Sequence, residues 1–242
     1  MQSDRQRAYD RGSTIFSPDG RLYQVEYARE AVERGSSTVG VRTNEGVVLA
    51  THRRRRSSLV EPESIEKLHD VDGRLGMATA GHVADGRHLV DYGRQYAQRE
   101  RLRYGEAPGV QPVAKALADY VQESTQTGGT RPFGAAVLLG GAVDAVPSLY
   151  ELDPSGTPTE WRATAVGAGS EAIRSHLEAE YDRDADVETG LTLALRSLAE
   201  GIDRDLTASD LALASVDADG FESFDRGRRQ RALDEAGLSQ AS

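Results

Sequence analysis

Thr38-Val39-Gly40-Val41-Arg42-Thr43-Asn44-Glu45-Gly46-Val47-Val48-Leu49-Ala50-Thr51 is the stretch on which the fold turns. Two runs rich in β-branched residues flank Asn44-Glu45-Gly46, a tight-turn signal, and the segment reads as a β-hairpin. Just upstream the period is different. Leu22, Val25, Ala28, Ala31 and Val32 recur at helical spacing after the Ser17-Pro18-Asp19-Gly20 cluster and stop at Gly35, a good C-terminal breaker. This amphipathic helix is too short to stand alone and needs a surface to lie on.

Downstream, Leu68 to His69 and Leu75 to Ala80 give two short strands around the Asp72-Gly73 turn. Helical spacing follows from His82 to Leu102, at Val83, Leu89, Val90 and Tyr96, and again from Val113 to Gln126. The second half repeats the order. Ala135 to Leu139, Ser148 to Leu152 and Thr159 to Val166 read as strands. Glu171 to Tyr181 and Val187 to Ile202 read as the next helix pair, with Leu191, Leu195 and Leu198 on one face. Leu211 to Val216 and Phe221 to Phe224 bracket the Asp217-Ala218-Asp219-Gly220 turn. Strand blocks alternate with paired helices, whereas a doubly wound sheet would interleave single strands with single helices. An α+β protein of two stacked sheets covered by helix layers satisfies this order. Arg226 to Ser242 reads as a short helix from Gln230 to Ala236 and a mobile polar tail.

Composition bounds the function. At 242 residues, 38% hydrophobic and 28% charged, the chain is one large domain with enough apolar residues to fill a core. No run approaches the length of a membrane span, and Met1 to Arg7 leads into no apolar signal core, which points to a soluble cytoplasmic protein. With no cysteine there is no disulfide, thiolate metal site or cysteine nucleophile. A formal charge of −10 opposes nonspecific adhesion to nucleic acid or anionic membrane and leaves proteins or neutral peptides as partners. Of the 29 basic residues only Lys67 and Lys115 are lysines, a skew expected of a salt-adapted or GC-rich source.

Several motifs have a plain reading. Arg53 to Arg56 is a basic run without an aromatic platform, and an intersubunit or solvated cluster is favoured over RNA contact. Asp217-Ala218-Asp219-Gly220 lacks the further ligands of a calcium loop. Gly167-Ala168-Gly169-Ser170 is a candidate anion cradle, but close strand–helix packing is the simpler role. His52, His69, His82, His88 and His176 show no zinc-enzyme spacing, so no metal or cofactor is expected. Carboxylates are too abundant for spacing to single out a general acid or base.

Tyr9-Asp10-Arg11 followed by Phe16-Ser17-Pro18-Asp19-Gly20-Arg21-Leu22-Tyr23-Gln24-Val25-Glu26-Tyr27-Ala28 resembles the signature of proteasome α subunits of the archaeal type. The similarity continues through Ser64 to Leu68, Gly81 to Asp85, Gly129 to Gly134 and Asp153 to Gly156, and covers roughly residues 8 to 225. The resemblance implies a four-layer αββα sandwich, the N-terminal nucleophile hydrolase fold, with the N-terminal helix across its top. It divides the chain into a gate tail and ring helix (1–35), the sandwich (36–225) and a C-terminal helix and tail (226–242).

In function it implies a non-catalytic member of a seven-membered α ring, partnered by other α subunits, proteolytic β subunits, a regulatory AAA ATPase and unfolded polypeptide substrates. Tyr9, Asp10, Arg11, Pro18 and Tyr27 would form the gate. Lys67, Gly81, Gly35 and Leu22 would form the pocket that takes the ATPase's C-terminal tail, with the lysine on the tail carboxylate. The alternative is an amidohydrolase self-processed before Ser36. Against it, Ser36 follows a retained helix, and His52 stands where the β family carries a supporting acid. Three departures from the family pattern stand out: Gly12-Ser13-Thr14 after the Tyr-Asp-Arg motif, His82 beside Gly81 as a candidate pH-sensitive group, and the strongly basic Arg53 to Arg56.

Overall fold

The computed structural model describes residues 16–17, 20–127 and 130–238. Tyr9, Asp10, Arg11, Gly12-Ser13-Thr14, Pro18 and the last polar residues lie outside that range. Helix α1 (Tyr23–Glu33) precedes the expected hairpin, β1 (Thr38–Arg42) and β2 (Val47–His52). These strands pair antiparallel with Thr38 opposite Thr51 and Arg42 opposite Val47. Strands β3 (Leu68–Asp70) and β4 (Leu75–Gly81) follow, then helices α2 (Val83–Tyr104) and α3 (Val110–Gln126). The second half supplies β5 (Ala135–Val143), β6 (Val146–Leu152), β7 (Pro158–Trp161), β8 (Ala163–Val166), α4 (Ser170–Glu180), α5 (Val187–Glu200), β9 (Leu211–Asp217), β10 (Gly220–Ser223) and α6 (Arg226–Glu235).

The strands form two five-stranded sheets, ordered β10-β9-β2-β1-β8 and β3-β4-β5-β6-β7. Their alternation builds the layers. Val47 and Leu49 face the second sheet and pack with Ala78, Ala80, Leu138 and Leu149, while Val48 and Ala50 face α4, α5 and α6. Leu191, Leu195 and Leu198 close that outer layer, all buried. On the other side Leu75, Met77, Val137 and Leu139 meet Leu89, Val90, Val113 and Leu117 of α2 and α3. The result is the helix–sheet–sheet–helix sandwich that the element order implies. Helix α1 lies across its end, with Val25, Ala28 and Val32 buried and Val32 in the intersheet core. No helix among the described residues is long and apolar enough to cross a membrane.

Two expectations need correction. Thr159 to Val166 is not one strand. The chain breaks at Arg162, whose carbonyl accepts from Arg42 N–H; β7 stays with β6 and β8 crosses to pair with β1. The C-terminal helix starts at Arg226, ahead of the expected Gln230, because the Asp225 carboxylate accepts from Arg228 N–H as an N-cap. Its Ala232 and Leu233 are buried in the outer core beside α5.

Candidate functional site

The C-terminal end of α1 meets the end of β4 with no side chain between them. A Cβ on Gly35 would stand 2.2 Å from Gly81 N, and one on Gly81 would stand 2.3 Å from Gly134 O. Gly81 also has φ +99°, a backbone state that L side chains rarely adopt. Two glycines therefore let three backbone segments touch.

The segment after Gly81 is fastened by Asp85, a buried carboxylate at the start of α2. It accepts from Arg131 Nη1 at 2.6 Å and Nη2 at 2.7 Å and from Gly134 N–H at 2.8 Å, with His82 Nδ1 at 3.4 Å. Burial opposes ionisation of Asp85, but these donors outweigh it and hold its pKa below the usual carboxylate range. His82 N–H in turn donates to Gly134 O at 2.8 Å.

This junction walls one side of a cavity of about 850 Å³. Arg34, Gly35 and Ser36 come from the end of α1; Arg54, Arg55, Arg56, Val60 and Ile65 from the connection after β2; Lys67 from just before β3; Gly81 from the end of β4; and Val83 from the start of α2. The lining carries five cationic side chains and no acid among the described residues. Lys67 is only 5% exposed, and no carboxylate among the described residues pairs with its ammonium. Burial alone pushes its pKa down. Arg34 is paired with Glu30 and Arg55 with Asp210, while exposed Arg54 and Arg56 have no ion-pair partner among the described residues.

The rest of the cluster is not arranged for nucleophilic catalysis. The bond before Ser36 is held on its Gly35 side, where Gly35 N–H donates to Val32 O and Gly35 O accepts from Ala168 N–H, and a terminal-nucleophile role for Ser36 would require breaking it. His52 Nε2 lies 2.6 Å from Arg204 Nη2. Because guanidinium only donates, that nitrogen's lone pair is occupied and unavailable as a base. Burial, then Arg204, pushes the His52 pKa down to about 4. The Gly167-Ala168-Gly169 turn packs tightly: a Cβ on Gly167 would meet Ser36 O at 2.3 Å, and one on Gly169 would meet Gly201 O at 2.4 Å.

Comparison with known families agrees at both ends of the chain. The profile described as "Proteasome subunit" matches residues 32–216, and the N-terminal signature of A-type proteasome subunits matches residues 9–31. The chain belongs to the proteasome subunit family. It is 54% identical to the proteasome alpha 2 subunit of Haloarcula marismortui, with 92% of each chain covered. Against the proteasome alpha subunit of Natronomonas pharaonis it is 51% identical over 98% of this chain and 94% of that one. Against the proteasome alpha subunit of Haloquadratum walsbyi it is 54% identical over 90% and 87%. The chain is thus a proteasome α subunit of the archaeal type and non-catalytic, in keeping with the internal Ser36 and the occupied His52.

Of the residues singled out in the sequence, Lys67, Gly81 and Gly35 share this cavity. Leu22 does not line it. It caps the opposite end of α1, about 18 Å from Arg34 at 1.5 Å per helical residue. Tyr27 is on the outer face of α1, 46% exposed. Sequence reasoning missed Arg54, Arg55 and Arg56 as cavity residues and left them a solvated or intersubunit cluster. The signal was their position: the loop they begin runs from β2 of one sheet to β3 of the other and must return to Lys67.

Proposed function

We propose that seven copies of this chain, or of this chain with a paralogue, form the outer ring of a proteasome core particle. In that position the ring admits unfolded polypeptides, supports assembly of the proteolytic β rings and docks a regulatory AAA ATPase in the cytoplasm. Residues 1–35 act as gate tail and ring helix, residues 36–225 as the sandwich, and residues 226–242 as the closing helix and tail. Tyr9, Asp10, Arg11, Pro18 and Tyr27 hold the gate; the tyrosines offer hydrogen-bonding tips, the aspartate an acceptor and the proline a rigid turn. Helix α1 contributes to head-to-tail contacts around a closed ring.

The observation that carries the docking reading is the buried Lys67, with no carboxylate partner among the described residues, in a cavity walled by Gly35 and Gly81. A compact ammonium on a flexible stem suits a chain-terminal carboxylate, and the two glycines, closed on each other and on Gly134, add no side chain to that wall of the cavity. Leu22, at the far end of α1, would reach such a pocket only from a neighbouring protomer. The test uses the assembled core particle with its β subunits. Deleting residues 2–12 raises hydrolysis of a short peptide, and an unchanged rate removes the gate. Lys67→Ala abolishes stimulation by the ATPase; surviving stimulation removes Lys67 from docking.

A further inference from the structure

We propose that the cavity selects an acidic C-terminal segment: one whose terminal carboxylate meets Lys67 and whose upstream Asp or Glu side chains meet Arg54 and Arg56. This rests on the docking reading above and specifies the chemistry of the partner.

Three observations carry it. First, the cavity concentrates positive charge on a molecule whose formal charge is −10, with five cations and no acid in the lining among the described residues. A concave surface of one sign focuses field on an incoming ligand of the other. Second, the cations differ in what they already hold. Arg34 and Arg55 are engaged by Glu30 and Asp210, whereas buried Lys67 and exposed Arg54 and Arg56 have no carboxylate partner among the described residues. The spare cations thus form one deep point and two at the rim, which fits a chain end entering with acids behind it. Third, Val60, Ile65 and Val83 supply apolar wall, and among the described residues no aromatic ring lines the cavity to stack a nucleobase. Its volume of about 850 Å³ falls in the ligand-cleft range of about 300–1,000 Å³. Guanidinium forks on carboxylates are directional contacts, and at short range they are less exposed to salt screening than the distant field.

The assembled ring is titrated with three fluorescent heptapeptides at a fixed salt concentration that keeps it intact. One has glutamates upstream of a free C-terminus, one has glutamines in their place, and one is the acidic peptide with a C-terminal amide. The acidic peptide binds about tenfold more tightly than the glutamine peptide, the gain of two exposed ion pairs. In the Arg54→Gln/Arg56→Gln double variant that ratio falls to about one, within the scatter expected of rim contacts. Lys67→Ala and the amide each weaken binding of the acidic segment.

Loss of binding in Lys67→Ala together with equal affinity for acidic and glutamine peptides in the unsubstituted ring overturns the selectivity and leaves docking intact. Binding indifferent to Lys67 and to the amide overturns docking itself. If the double variant fails to form rings, native mass spectrometry reports it, and Arg54 and Arg56 belong to a neighbouring protomer's acids and not to a ligand.

Discussion

Lys67 and Arg229 are both buried cations, and they are held in opposite ways. Arg229 is 3% exposed, and every arm of its guanidinium is used. Nη1 donates to Leu211 O at 2.6 Å, Nε to Asp225 O at 3.3 Å and Nη2 to Glu63 at 2.5 Å, with Glu63 also accepting from Arg53 Nη1 at 2.7 Å. Lys67 is 5% exposed with no such set among the described residues. A buried charge without a partner is costly to keep, which makes Lys67 a candidate binding group. Arg229 belongs to the architecture, tying α6 to β9 and to the loop that carries Arg53 to Arg56. Lys67 lines the cavity and is the cation left for the proposed tail carboxylate.

The sharpest way to break that contrast is Arg229→Ala. It leaves Leu211 O short of a donor, while Asp225 O keeps the backbone N–H of residue 229, and it removes a packed side-chain stem, so the folded state loses about 3–4 kcal/mol. Chemical denaturation measures it. A loss under about 1 kcal/mol, the scale of a surface ion pair, would make Arg229 no more structural than a rim charge.

The same contrast explains what could be read from the sequence. The hairpin at Thr38 to Thr51 and the strand-block and helix-pair order were legible, because period-2 and period-3.6 patterns are local consequences of which face is buried. The break at Arg162 was not. Thr159 to Val166 is one continuous extended pattern, and the change of partner from β6 to β1 is a tertiary event. The start of α6 was missed because Arg226 to Arg231 looks like a solvated run, yet Arg229 is buried by partners distant in sequence. At the site, composition marked Lys67 only as one of two lysines; the family resemblance joined it to Gly35 and Gly81. Cavity roles for Arg54 to Arg56 needed the three-dimensional return of the loop.

Acid sharpens the comparison by creating further unpartnered cations. Burial, with Arg204 the next contributor at His52 and Arg94 at His69, pushes both imidazoles down to about 4. The unfolded chain, with histidines near their ordinary value of about 6.5, takes up protons first. Stability is therefore full above about pH 6.5 and falls as the pH drops toward 4. Asp85, Asp210 and Glu63, whose paired carboxylates are held below the usual range, add their loss only at still lower pH. His52→Gln, whose amide oxygen still accepts from Arg204, removes about 2–3 kcal/mol of the loss between pH 6.5 and 4. Denaturation midpoints at the two pH values measure it. Equal losses in the two proteins would mean that His52 does not stay neutral in the fold.

The smallest expected effect is the most discriminating. Lys67→Met keeps the stem's volume and discards the unpartnered ammonium, so it raises stability by about 1 kcal/mol at neutral pH, where Arg229→Ala lowers it. The sign has a pH signature. Burial lowers the pKa of Lys67 in the fold, so below the ordinary lysine range the unfolded chain binds the extra proton. The unsubstituted protein therefore gains stability as the pH rises from the folded value of Lys67 toward that range, and Lys67→Met lacks this gain. A peptide carboxylate in the cavity meets the charge directly and stabilises the unsubstituted protein against denaturant, while the methionine variant gains nothing from it. A clear loss of stability in Lys67→Met would reveal a partner inside the fold, and the two buried cations would then be of one kind.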